Sequence, residues 1–185
     1  MRVANLGKGQ FALLLMAGLR PKPGADPRPL LAKYSQSPSL QLLDARSVAG
    51  EVHLMAAALL AKKSWEAGEN VSRIPANEVL LYASSKRQIR EAIEFMGVRE
   101  NSSGWVAVAV CESEAQIACL MQDLLAMGAQ DDSLIDLDDS KCPEVERKFG
   151  ISEEEISYAL PLVGSRVRAV SSLVVERVSI SDLYR

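Results

Sequence analysis

GWVAVAVCESEAQIACLMQDLLAMG, residues 104–128, decides the fold. WVAVAVC (105–111) is an unbroken apolar run after Gly104. A run of that length without polar alternation reads as a strand covered on both faces. The period then changes. Ser113 and Gln116 have capping-box spacing, and Ile117, Leu120, Met121 and Leu124 follow at i, i+3, i+4 and i+7, one face of a helix that Gly128 stops.

Working outward, residues 10–18 read as a second buried strand, ended by Gly18 and the prolines of RPKPGADPRP (20–29), a loop. The apolar stretch Phe11–Leu19 behind Arg2 and Lys8 also has the look of a signal-peptide core. Arg20 and Lys22 follow at once, and the buried strand explains the run equally well. A short helix is expected over Leu30–Tyr34, then a strand at LQLLD (40–44), with Asp44 placed to cap a long helix over 45–67 that Gly68 closes. Val48, Val52, Met55 and Leu59 form its main stripe, while LMAAALLA (54–61) is apolar on every side. That helix is therefore central, or partly covered by something else. After Pro75 a short helix spans 76–83, leading into YASSKRQIREAIEFMGV (82–98).

The C-terminal third begins with the acidic connector DDSLIDLDDS (131–140). Ser152 and Glu155 predict a capped helix cut off by Pro161, and Val163, Val167, Val170 and Val174 lie at helical spacing beyond it. The tail 178–185 reads as strand or disorder. The fold class expected is mixed α/β (α+β): a small central β-sheet of about three to five strands flanked by helices. A single domain spans 1–185.

Composition narrows the function. The chain has 185 residues, 48% hydrophobic and 24% charged, with a formal net charge of −3. That describes a soluble globular protein without a membrane span, and nucleic-acid binding would need a local basic patch. Three cysteines at irregular spacing suit reduced thiols in a cytoplasmic protein, and one histidine cannot assemble a usual zinc set. His53, that histidine, lies beside the main stripe and reads as a half-buried helix residue. The aspartates 131, 132, 136, 138 and 139 lack the glycine and terminal glutamate of a calcium loop, so no metal is expected. Cys111 and Cys119 read as packing residues. No P-loop, G-x-S-x-G or dinucleotide fingerprint is present. The expectation is no catalytic residue, no cofactor and no enzyme.

The stretch 82–98 carries the one unusual charge pattern. Ile89, Ala92, Ile93 and Met96 form an apolar face, and Ser85 with Gln88 has capping-box spacing, so the helix is expected to start at Lys86 and to end at a left-handed Gly97. Lys86 and Arg87 then stand in the first turn, where the helix dipole disfavours cations. Two readings stand side by side. Arg87–Glu91 and Arg90–Glu94 can pair at i, i+4, in the weaker orientation. Alternatively Ser84, Ser85, Lys86, Arg87, Gln88 and Arg90, with the free N–H groups of the helix start, form a corner ready for a phosphate.

Three stretches together, 40–68, NEVLLYASSKRQIREAIEFMGV (77–98) and 105–129, resemble the Cgi-type, TPRKB-like family of PRPK-binding regulatory subunits of the KEOPS complex. The most specific part is the small-hydroxyl segment followed by Arg87-Gln88-Ile89, Ala92 and Gly97. The resemblance implies a non-enzymatic subunit bound directly to the small kinase-like ATPase of KEOPS, and through it to the threonylcarbamoyl transferase subunit. It also implies contact with the single-stranded 3′ CCA end of tRNA, in support of threonylcarbamoyl modification of the adenosine next to the anticodon. Such an end would offer phosphates to Lys86, Arg87 and the serines. Against this stand a protein-only scaffold that binds the kinase without RNA, and a small-molecule enzyme using His53.

Overall fold

The computed structural model describes residues 1–182 and has the expected mixed α/β architecture. Its five strands are β1 (Arg2–Asn5), β2 (Leu13–Pro21), β3 (Ser39–Asp44), β4 (Trp105–Cys111) and β5 (Gly128–Gln130). They lie in the order β1-β2-β4-β3, with β5 on the C-terminal end of β2, and every pairing is antiparallel. The helices are α1 (Arg28–Lys33), α2 (Glu51–Ala67), α3 (Pro75–Ala83), α4 (Ile89–Met96), α5 (Glu114–Met127), α6 (Cys142–Phe149), α7 (Glu153–Val163) and α8 (Arg166–Asp182).

β4 is central and buried along its whole length, as its unbroken apolar run requires. Val106, Val108 and Val110 turn to one side, into a core with Leu54, Ala57, Ala58 and Ala61 of α2, Leu80 of α3 and Met96 of α4. Trp105, Ala107, Ala109 and Cys111 turn to the other, against Leu30 of α1 and Ile117, Leu120 and Leu124 of α5. A third cluster joins α6, α7 and α8 around Val145, Ile156, Val170 and Val174.

Several elements depart from the sequence reading. β2 runs through Gly18 to Pro21, because β4 and β5 pair with it there. Gly18 permits a crossing: a Cβ at that position would lie 1.9 Å from the carbonyl oxygen of Asp131. β1, a short edge strand with alternating burial, has no apolar run to announce it. Asp44 caps a 3-10 turn, Ala45–Ser47, accepting the Arg46 N–H, and α2 begins only after Gly50. The buried face of α2 is accordingly His53, Leu54, Ala57, Ala58, Ala61 and Ser64, while Val52 and Leu59 of the expected stripe are exposed. Val48 is buried but lies ahead of the helix. Three alanines and Ser64 on the inner face let α2 sit close to its neighbours around Leu54 and His53, while Val52 and Leu59 are turned outward.

The Ser152–Glu155 capping box forms in full. Ser113 caps α5 by accepting the Gln116 N–H, but the Gln116 side chain accepts from Glu112 instead of closing the box. Pro161 does not end α7, which continues to Val163 and closes on left-handed Gly164. Near a helix end the proline removes one hydrogen bond without forbidding the helical φ. Val163 thus belongs to α7, and of the expected valine series only Val170 and Val174 are fully buried on α8. Residues 178–182 continue α8 as helix, and the rest of the tail, 183–185, lies outside the described residues. Among the described residues no helix is long and apolar enough to cross a membrane.

Candidate functional site

The basic segment is a connection between two helices, not a first turn. α3 ends at Ser84, and Ser85 follows at φ 55°, in the left-handed region. The Lys86 N–H bonds to the Leu81 carbonyl and the Ser85 N–H to that of Tyr82, the paired bonds of a Schellman motif. α4 then starts at Ile89 with Gln88 as its N-cap residue. The expected Ser85–Gln88 capping box is therefore absent, and the helix begins three residues later than the spacing predicts. Gly97 is extended at φ −65° instead of left-handed; a Cβ there would meet the Ile93 carbonyl oxygen at 2.6 Å. Ala92 and Met96 are buried, but Ile93 is exposed.

The shift takes Lys86 and Arg87 out of the first turn and leaves Arg90 as the cation in it. Lys86 and Arg87 precede α4, and the N–H groups of Ile89, Arg90 and Glu91 stand at its start without helical partners. Gln88 and Arg87 are exposed beside them. Arg87 makes no ion pair among the described residues, so the Arg87–Glu91 pair does not form, whereas Arg90–Glu94 does, at 3.2 Å. The two serines are a correction. Ser84 is buried and its hydroxyl donates to the Leu81 carbonyl at 3.2 Å. Ser85 Oγ is also buried, with no partner among the described residues. Neither hydroxyl faces the corner's surface, so the accessible set is Lys86, Arg87, Gln88 and Arg90.

Two residues that sequence reasoning missed brace this corner. Lys86 Nζ lies 5.0 Å from the ring centroid of Phe95 on α4, and Lys148 Nζ of α6 lies 5.6 Å from it. Lys148 also donates to the Phe95 carbonyl at 2.7 Å and to Ser47 Oγ. Burial pushes its amine below the ordinary lysine range, against the attraction of Asp44 and Glu144, and nearby Arg99 and Arg147 add to the lowering. Phe95 meets Phe149 edge-on at 5.1 Å, and Phe149 meets His53 at 5.6 Å. No local pattern links α4 to α6, so only the fold reveals the contact. The imidazole of His53 is fully buried, more than expected, with both nitrogens engaged by Ala49 and Ala83.

A second surface is a groove between α2, α7 and α8 in which Val52, 63% exposed, Leu162, 85% exposed, Val163 and Val175 stand beside Arg168, Ser171 and Ser172. The all-round apolar character of 54–61 was the available signal, although the exposed valine lies just ahead of it.

Residues 25–182 match the family model described as kinase binding protein CGI-121. The chain belongs to the CGI-121 family. The matched span takes in both surfaces, the second half of the proline-rich loop and the 150–164 segment. No curated protein matches the chain. The CGI-121 family is thus one of kinase-binding proteins. The aspartates of the connector serve the fold: Asp131 pairs with Arg20 at 2.6 Å, Asp136 with Arg2 at 2.7 Å, and Asp132 accepts the Gly18 N–H.

Proposed function

We propose that this CGI-121 protein is a non-catalytic, cytoplasmic regulatory subunit of a KEOPS complex. It docks the small kinase-like ATPase, connects through it to the threonylcarbamoyl transferase subunit, and holds the 3′ CCA end of tRNA. The observation that carries the reading is the presence on one chain of two uncovered surfaces of different chemistry. The Val52–Leu162 groove sets exposed aliphatic side chains beside Arg168, Ser171 and Ser172, a mixture that suits a protein interface. The Lys86–Arg87 corner joins unpaired cations to a free helix start, which suits phosphates. The sealed His53, with no nitrogen free for proton transfer, supports a non-catalytic role.

Two binding measurements test this. Co-purification with the kinase subunit should succeed for the parent chain. A titration against tRNA should show clear loss of affinity when the CCA end is removed. Lys86→Ala with Arg87→Ala should weaken tRNA binding roughly tenfold or more, because two charge-assisted donors to phosphate are removed. The log–log salt slope should flatten by up to ~0.7 for each single-strand phosphate that is no longer neutralised. Thermal stability should stay within about 0.5 kcal/mol of the parent, as for surface changes generally. Unchanged affinity in the double variant puts the RNA site on another face, whereas no measurable tRNA affinity in the parent chain, with kinase binding intact, favours the protein-only scaffold. The Arg90–Glu94 pair and the net charge of −3 are the observations on that side.

A further inference from the structure

The outer face of α7 is apolar where a surface helix is ordinarily polar or charged. Ile156, Ala159 and Val163 turn inward and pack with the cluster of α6 and α8. On the opposite side Tyr158, 73% exposed, and Leu162 lie one helical turn apart, with Pro161 exposed between them. Single apolar residues on a surface are ordinary, but a contiguous stripe marks an interaction site.

The stripe carries opposite charges at its two ends. Glu154 stands one turn before Tyr158 on the same face, and Arg168 of α8 lines the groove beside Leu162. Arg166 pairs with Glu153 at 2.5 Å, and Arg177 pairs with Glu155. Glu154, between them, is exposed and enters no ion pair among the described residues. Arg168 is likewise exposed and enters none among them. At 1.5 Å rise per residue, Glu154 and Leu162 are about 12 Å apart along the axis. An acid at one end, a base at the other and apolar groups between make a face that is its own complement under a two-fold rotation. Laid antiparallel on a second copy, Tyr158 meets Leu162 of that copy, and Glu154 approaches its Arg168 at both ends. A parallel arrangement would set like charges together, which is costly.

We propose that two copies of this chain associate through the outer face of α7, antiparallel, with Tyr158 and Leu162 at the centre and Glu154–Arg168 pairs at both ends. One helix face is smaller than the ~800 Å² per partner of a standard interface, so the dimer is a weak one. Leu162 and Arg168 also line the groove assigned above to the kinase subunit. Resting on that reading, the second copy and the kinase exclude one another, and the dimer is the state of the chain without its kinase. Sedimentation equilibrium of the full chain from about 1 to 500 μM tests this and should show a monomer passing to a dimer. Raised salt should weaken the association. Tyr158→Ala, an exposed change, should weaken it tenfold or more. Glu154→Arg and Arg168→Glu should each weaken self-association several-fold. An equimolar mixture of those two variants should dimerise again, because every end of the mixed pair then joins opposite charges. A parent chain that stays monomeric throughout, a Tyr158→Ala chain that dimerises like the parent, or no association in the mixture would each overturn the proposal. Tyr158 does not line the groove, so Tyr158→Ala should still co-elute with the kinase subunit. Loss of that co-elution beside a monomeric parent would give the stripe to the kinase instead. A parent that dimerises but does not co-elute with the kinase upholds the dimer and refutes the groove reading alone.

Discussion

At His53 the hydrogen bonds fix both the tautomer and a pH response. The Ala49 N–H donates to Nδ1 at 3.1 Å, so Nδ1 carries no proton, and Nε2–H donates to the Ala83 carbonyl at 2.8 Å. Protonation would set a hydrogen on Nδ1 against the Ala49 amide. Burial pushes the imidazole down to about 4 from its ordinary 6.5, although the bond to Ala83 works in the opposite direction. The unfolded chain therefore takes up this proton first, and its stabilisation is complete above about pH 6.5 and lost as pH falls toward 4. A shift of that size corresponds to about 3 kcal/mol. Urea unfolding at several pH values across this window should show that fall, and His53→Gln should lose most of the slope while being less stable at neutral pH. An equal slope in both proteins would assign the response to the carboxylates. The histidine was legible as a helix residue, but its sealing was not. Burial arises against Phe149 and the Ala83 carbonyl, which are far away in sequence and lie close only in three dimensions.

At the scale of elements, runs were legible and phases were not. β4 and α5 follow their sequence patterns almost residue for residue, because an unbroken apolar run in one and a single strong helical period in the other leave little competition. α2 does not. Hydrophobicity favours Val52 and Leu59 for its inner face, but packing places alanines there, and a helix apolar all round gives periodicity no phase to read. The α3–α4 turn fails for a different reason. Ser85 and Gln88 fit a capping box, yet the Schellman bonds closing α3 take Ser85 as their left-handed residue. That competition yields a reversed expectation for Ser85. A capping serine would cost about 1 kcal/mol to remove. Here Ser85→Gly should stabilise the fold, since a left-handed non-glycine residue costs roughly 1–2 kcal/mol and glycine's added chain entropy about 0.5–1. A gain of up to about 1 kcal/mol raises the melting temperature by a few degrees in a chain of this length. A fall in melting temperature for Ser85→Gly would mean the serine hydroxyl supports the turn after all.

At the scale of the molecule, α8 ties the layers together. Val178 enters the core against the sheet, while Ala169, Val170 and Val174 pack with α6 and α7. The opposite edge is stitched by the acidic connector, which crosses β2 at Gly18 and pairs with Arg2 and Arg20. Gly18→Ala drives a methyl into the Asp131 backbone and should cost about 2–3 kcal/mol or more, measurable by urea unfolding. The Val52–Leu162 groove lies on the α2–α7–α8 side, and no residue lines both it and the Lys86–Arg87 corner. Substitutions on α2 therefore separate fold from function. Ala57, fully buried, cannot accept a charge, so Ala57→Asp should unfold the chain. Val52→Asp points its carboxylate into the exposed groove and should leave the melting temperature within a few degrees of the parent. Co-elution with the kinase subunit should nevertheless fall, because the charge would be desolvated among the aliphatic side chains of the interface. tRNA affinity of the isolated Val52→Asp chain should remain unchanged. Combining Val52→Asp with Lys86→Ala and Arg87→Ala should then give the sum of the separate binding losses within about 0.5 kcal/mol, as distant sites without shared partners do. Full kinase co-elution by Val52→Asp would place the interface elsewhere, and marked non-additivity would mean that kinase and tRNA meet on one continuous surface.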